Sequence, residues 1–190
     1  MNIVQFDPAA RRLLSQRAAQ MSNSNAALSH YAAGTDSMMN AVSAAILQLM
    51  TAESLPDIIR TVTLDWPKEL GVDMAALALA SHDEGFRAGP TGIQRLPARR
   101  IRAWSSGTSG AEVRNVEGGV PLFGDAGADV RSVAVIPLAL PAPLGVGVLA
   151  LGSAAHSAPP AMDGTACLDF LGQALSRMIA ACLMKPPSLT

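Results

Sequence analysis

Apolar positions along the chain change period once, near residue 71. Before it they recur at helical spacing. After it they come in short apolar runs, and they return to helical spacing only after residue 163. Asp7 and Pro8 form a helix start, a capping acceptor followed by proline in the first turn. The pattern predicts a helix to Tyr31 with a thin apolar stripe of Leu13, Leu14, Ala18, Met21 and Leu28, stopped at Gly34. Thr35 or Asp36 caps a second helix. Its Met39, Val42, Ile46 and Leu49 step by three and four residues, a narrow seam of coiled-coil type. Ser54 caps a third helix that places Leu55, Ile58, Ile59, Val62, Trp66 and Leu70 on one face. Pro67 is expected to kink it and Gly71 to end it.

The later runs predict strands. "VDMAALALA" (72–80) reads as a buried strand and "SHDEG" as a turn. Residues 85–96 read as irregular, with a strand near their start. "LPARRIRAW" predicts a short helix after Pro97, and "SSGTSG" (105–110) a flexible loop. "AEVRNV" alternates like an edge strand, "EGG" turns the chain, and "VPLFGD" follows. Residues 133–153 hold no charge and are long enough to span a membrane, which takes roughly 20 apolar residues. Pro137, Pro141 and Pro143 argue against one continuous helix, because each costs about 3 kcal/mol inside one. Two apolar runs joined by "PAP" instead predict a hairpin of buried strands over 132–140 and 145–152. Residues 163–184 close the pattern as a helix with a seam of Leu168, Leu171, Leu175, Met178 and Cys182.

Helices, then strands, then one closing helix predict an α+β fold with a mostly antiparallel sheet. The expected organisation is a helical extension over 1–34 and a domain over 35–184, with helices at 35–70, the sheet at 72–153 and the closing helix at 163–184. A tail of 185–190 follows. The narrow seams suggest a helical bundle, within the molecule or across a homodimer built on the N-terminal helices.

Composition narrows the class. With 49% apolar and 15% charged residues in 190, the chain is globular at the apolar end of the range. A formal charge of −1 gives no general attraction to nucleic acid or anionic lipid. The N-terminus has no apolar core of signal-peptide length, so a cytoplasmic location is expected. Cys167 and Cys182 lie fifteen residues apart on one predicted helix, about 22 Å, too far to pair.

"SLPDIIRTVTLDWPKELGVDMAALAL" resembles the opening of a GAF domain: an amphipathic helix, "LGVD", then a buried strand. "PLFG", "RSVAVIPL", "GVGVLALGS" and "GTACLDFLGQALSRMI" together resemble the narrower bacterial DUF484 family, GAF-like proteins without an assigned function. The likeness covers roughly residues 35–184. It departs from the family after "LALGS", where a charged loop is usual and "AAHSAPPAM" stands here. The resemblance implies a GAF-like fold: a central antiparallel sheet flanked by helices, a pocket on one face and the terminal helices on the other. It implies no reaction.

Candidate chemistry is sparse. His30, His82 and His156 are scattered, and no zinc, calcium or phosphate-loop pattern occurs, so no metal or cofactor is expected. "GTSGA" misses the last glycine of a nucleophile elbow and lacks the strand–turn–helix context around Ser109. Some GAF-fold enzymes reduce methionine sulfoxide with loop cysteines, but both cysteines here fall on the closing helix. No catalytic residue is expected. Arg87, Arg95, Arg99, Arg100 and Arg102 carry a local charge of +5 without an acid, either a solvated face or an anion site. Nucleic acid is not expected, since only Trp104 offers a nearby aromatic. Two readings stay open: a non-enzymatic sensory or regulatory module that binds a small anionic or polar ligand, or an interaction scaffold with a vestigial pocket. For the first, Arg102, Trp104, Asp125, Arg131 and Ser132 are the candidate ligand-binding residues. Arg131 has a plainer alternative, pairing with Asp129 or Asp125.

Overall fold

The computed structural model describes residues 36–106, 109–117, 119–155 and 164–184. The expected helix over 7–31, the 1–34 extension and the 185–190 tail lie outside the described residues. Six strands form one antiparallel sheet in the order β3-β2-β1-β6-β5-β4. They are β1 (Met74–Ser81), β2 (Glu84–Gly89), β3 (Gly92–Pro97), β4 (Glu112–Asn115), β5 (Ser132–Ala139) and β6 (Val146–Ser153). The uncharged segment is the β5–β6 hairpin, paired from Ser132↔Ser153 to Ala139↔Val146. Residues 85–96, read as irregular with a strand near their start, supply that strand as β2 and a second one, β3, paired from Glu84↔Pro97 to Gly89↔Gly92. Glycine, arginine and glutamine interrupt the apolar alternation there, and an exposed edge strand has no apolar face to advertise.

One face of the sheet carries the helical layer. α1 (residues 36–49), α2 (Leu55–Arg60), α3 (Trp66–Leu70) and α5 (Thr165–Met184) enclose Ala75, Leu77, Leu79, Ala134, Ile136, Leu138, Leu149 and Leu151. On α1 the buried stripe is Met38, Val42, Ala45 and Leu49. Met39, expected in the seam, is 49% exposed, and Ile46 is half-buried. The stripe rotates because α1 packs inside its own domain, which calls for a wider face than a two-stranded seam. Ser54 caps α2, as expected: its Oγ accepts from the Asp57 backbone N–H at 3.3 Å and donates to Asp57 Oδ2 at 2.6 Å. The hydroxyl holds the Asp57 carboxyl below its ordinary pKa of 3.8.

The expected proline kink takes the form of a π-helical turn, Thr61–Asp65, immediately before Pro67. Proline has no N–H for the carbonyl one turn back, and its ring crowds that carbonyl. The chain widens, and Trp66 donates its backbone N–H to Thr61 O. The Trp66 ring is fully buried and its Nε1 donates to Ala45 O at 3.0 Å, tying α3 to α1. Gly71 ends the helix in the left-handed conformation. α5 is long and apolar enough to cross a membrane by length and composition. Here Leu168, Leu171, Leu175 and Ile179 are buried in the core of the sheet's helical face. Gly172 lets α5 approach β5 closely: a Cβ there would come within 2.5 Å of Ile136 Cγ2.

Candidate functional site

The opposite face of the sheet is where the resemblance to GAF domains places a pocket. Its floor is small: Ala76, Ala78 and Ala80 of β1 and Ala150 of β6. Two elements cover it, the short helix α4 (Ala98–Ser105) and a 3-10 segment, Pro121–Asp129, broken at Gly124. α4 forms where the arginine-rich stretch predicted a helix, with Ala98 and Ile101 turned inward and Arg99, Arg100 and Arg102 outward. From the 3-10 segment Leu122 and Phe123 reach the floor, and Phe123 is fully buried. Glycines in the sheet make room for these side chains. A Cβ on Gly152 would lie 2.8 Å from the Phe123 ring, and one on Gly85 would lie 2.5 Å from Ile101 Cδ1. The "LFG" and "LALGS" stretches therefore meet in space, the first supplying the ring and the second the glycine beneath it.

Arg87 fastens this cover. It sits on β2, buried to 4% exposure, and Nη1 donates to Pro121 O at 2.7 Å while Nη2 donates to Gln94 Oε1. The guanidinium lies against Gly124, where a Cβ would be 2.7 Å from Nη2. Gly124 has φ 64° and ψ −139°, backbone that side chains rarely adopt, so glycine is required there twice over. Burying a guanidinium costs free energy that hydrogen bonds to two neutral acceptors offset only in part. Here it joins β2 to the plug. In the sequence Arg87 was one of five local arginines, with nothing to mark it as the buried one.

A second network closes the end of the sheet. Asp73 Oδ2 accepts from Ser153 Oγ at 2.9 Å and from the Ala154 backbone N–H at 2.8 Å. Ser153 Oγ accepts from Ala155 N at 3.2 Å, and Ser132 Oγ donates to Ala155 O at 3.1 Å. The Asp of "LGVD" and the Ser of "LALGS" thus fix the exit of β6.

The five candidate ligand residues do not converge. Arg102 donates to the carbonyl of His82 in the β1–β2 turn. Trp104 is half-buried and packs on the core beneath α4. Asp125 is exposed on the 3-10 segment. Arg131 donates to Ala128 O at 2.9 Å and to Val130 O at 3.3 Å, so its guanidinium partners carbonyls of its own loop. Ser132 is buried and in phase with Ala134, so it faces the helical layer, away from α4. A groove elsewhere was not legible in the sequence. About 490 Å³ in volume, it runs between α5 and the end of β5, lined by Pro137, Ala139, Asp169, Gln173, Ser176 and Arg177. Asp169 is committed there to the Ala111 backbone N–H, at 2.6 Å.

Solved structures share this architecture. The GAF domain of A. aeolicus nlh2 in an inactive state is 10% identical, covering 78% of this chain and 98% of its own, with a TM-score of 0.55. The GAF domain of a phosphoenolpyruvate-protein phosphotransferase from Coxiella burnetii is 16% identical, covering 77% and 94%, with a TM-score of 0.51. Free methionine-R-sulfoxide reductase from Neisseria meningitidis, in complex with its substrate, is 18% identical, covering 75% and 87%, with a TM-score of 0.51. At these identities the likeness is one of fold, and the fold is that of a GAF domain. A comparison with curated proteins gave no significant match. The sequence profile of "Protein of unknown function, DUF484" matches residues 1–182, which takes in both the plugged sheet face and the helical layer, and the chain belongs to the DUF484 family.

Proposed function

We propose that the chain is a non-enzymatic regulatory module of GAF fold that acts as a homodimer through its helices. The observation that carries this reading is the outer surface of the helical layer. Met39, Leu47 and Met50 of α1 and the turn after it, with Phe170 of α5, are each between 49% and 65% exposed. Met39, Leu47 and Met50 recur at helical spacing, on one side of α1 and its continuation. Cys167 Sγ lies 3.3 Å from Met39 Sδ, so α1 meets α5 one turn from Phe170. Exposed apolar side chains grouped this way mark association surfaces. The plugged sheet face supports the same reading, since Phe123, Leu122 and Ile101 already occupy the volume above the small-residue floor.

The test is sedimentation velocity on the full chain and on Leu47→Glu/Phe170→Glu. Both side chains are exposed, so the double variant keeps the fold, checked by circular dichroism. The wild type is expected to sediment as a dimer at tens of micromolar and the variant as a monomer. A monomeric wild type, or a variant that dimerises unchanged, overturns the reading. A small anionic or polar ligand is supported by a different feature, the α5–β5 groove, where Arg177, Gln173 and Ser176 stand over Pro137 and Ala139.

A further inference from the structure

The groove between α5 and the end of β5 contains an open sheet edge. Leu140 donates its N–H to Gly145 O at 3.2 Å across the hairpin, so the even-numbered residues of β5 bond to β6 and the odd-numbered ones turn toward β4. The bond from Val116 N–H to Arg131 O, at 2.8 Å, and the β4–β5 register agree with this. β4 starts at Glu112, which pairs with Val135, and no described residue extends that ladder toward Ala139. Beyond it Pro137 and Ala139 turn two carbonyls and one N–H outward, since proline has no N–H. Ala139 is exposed and Pro137 half-buried, and both line the groove, so a ligand there reaches them. α5 runs beside β5 in the same direction. Asp169 holds Ala111 N–H at 2.6 Å, next to the last β4–β5 pair, and a Cβ on Gly172 would lie 2.5 Å from Ile136 Cγ2 and 3.5 Å from Leu138 Cδ2. Arg177, about 7.5 Å farther along the helix, therefore stands toward Ala139 and Pro141. Asp169 and Arg177 are the two charged residues that line the groove. The first is tied to the backbone at one end, and the second is exposed at the other.

We propose that this groove binds the C-terminus of an extended peptide, which adds to β5 as a parallel strand. The inference rests on the reading of the groove as a ligand site and names the class of its ligand. One guest residue donates its N–H to Pro137 O and accepts from Ala139 N–H, and the residue two farther on donates to Ala139 O. This ladder uses all three outward groups and asks nothing of the N–H that Pro137 lacks. β5 ends at Ala139, so the guest's ladder ends there as well. The terminal carboxylate then lies at the Arg177 end, where a guanidinium fork takes both of its oxygens. The Asp169 carboxylate at the opposite end repels it, so charge and backbone set the same direction.

The experiment is fluorescence anisotropy of the full chain with tetrapeptide pools labelled at the N-terminus with fluorescein. There is one pool for each of the twenty standard residues at the last position, random at the other three, as free acids and as C-terminal amides. At least one free-acid pool is expected to bind saturably, and its amide at least tenfold more weakly. N-acetylglycine, a carboxylate too short for the ladder, should also bind at least tenfold more weakly, measured by thermal shift. Arg177→Gln and Ala139→Pro should each weaken the binding of that pool tenfold or more. Arg177 is exposed, so its variant keeps the fold, checked by circular dichroism, even where Ala139→Pro does not. The proposal is overturned if no free-acid pool binds, if the amides bind equally well, or if Arg177→Gln binds with unchanged affinity. It is also overturned if N-acetylglycine binds as tightly as the peptides, but that outcome leaves the groove a site for small anions, so the two failures are distinct.

Discussion

Replacing Phe123 by alanine removes the ring that fills the sheet face opposite the helical layer. The ring is fully buried, so the variant loses its whole transfer free energy, about 1.5–3 kcal/mol. A void of about 100 Å³ at roughly 24 cal/mol per Å³ adds about 2.4 kcal/mol where the surroundings do not collapse, and the expected loss is about 3–5 kcal/mol. The partner is Gly152, whose added Cβ would meet the ring at 2.8 Å. Gly152→Ala alone therefore overpacks the face and costs about 1–3 kcal/mol. In the double variant the new methyl group enters the space the ring has left. The two losses should then fall short of additivity by about 1–2 kcal/mol. Equilibrium urea unfolding measures all four proteins. Trp104 reports from the core that holds Phe123 and Trp66 from the core under the helices. Losses that add to within about 0.5 kcal/mol would show that the ring does not rest on Gly152, and the account of the plug would fail.

Two further perturbations probe other devices. Arg87→Lys keeps the charge but has one head group for two acceptors set apart on Pro121 and Gln94, so it should destabilise by about 1–3 kcal/mol in the same urea assay, and an unchanged midpoint would deny the clamp. For Asp57, the Ser54 hydroxyl lowers the folded-state pKa, so the stabilisation is present above the ordinary value of 3.8 and is lost as pH falls through the lower folded value. The stability difference between wild type and Ser54→Ala should therefore shrink between neutral pH and about pH 3, measured by thermal melting; a difference independent of pH would refute the pairing.

Elements with local causes were legible in the chain before it folds. Proline placement excluded a spanning helix over 133–153 and set the hairpin, because a missing N–H acts on its own turn. Ser54, Pro67 and Gly71 marked the start, a kink and the end of α2–α3 for the same reason. The combination of "LFG", "LALGS" and the closing helix carried the family. Pairing at a distance emerges only from the fold. β2 and β3 exist because β1 offers an edge, not because their own residues alternate strongly. Met38 rather than Met39 faces inward because α1 packs into the core of its own domain, against α3 and α5 as well as the sheet's cluster. Arg87 is more than thirty residues of chain away from Pro121 and Gly124, and Ser153 is eighty from Asp73. Gln48 finds Glu69 across twenty-one. Each of these polar side chains has no periodicity to betray it, and its role comes from what the fold places within hydrogen-bond reach.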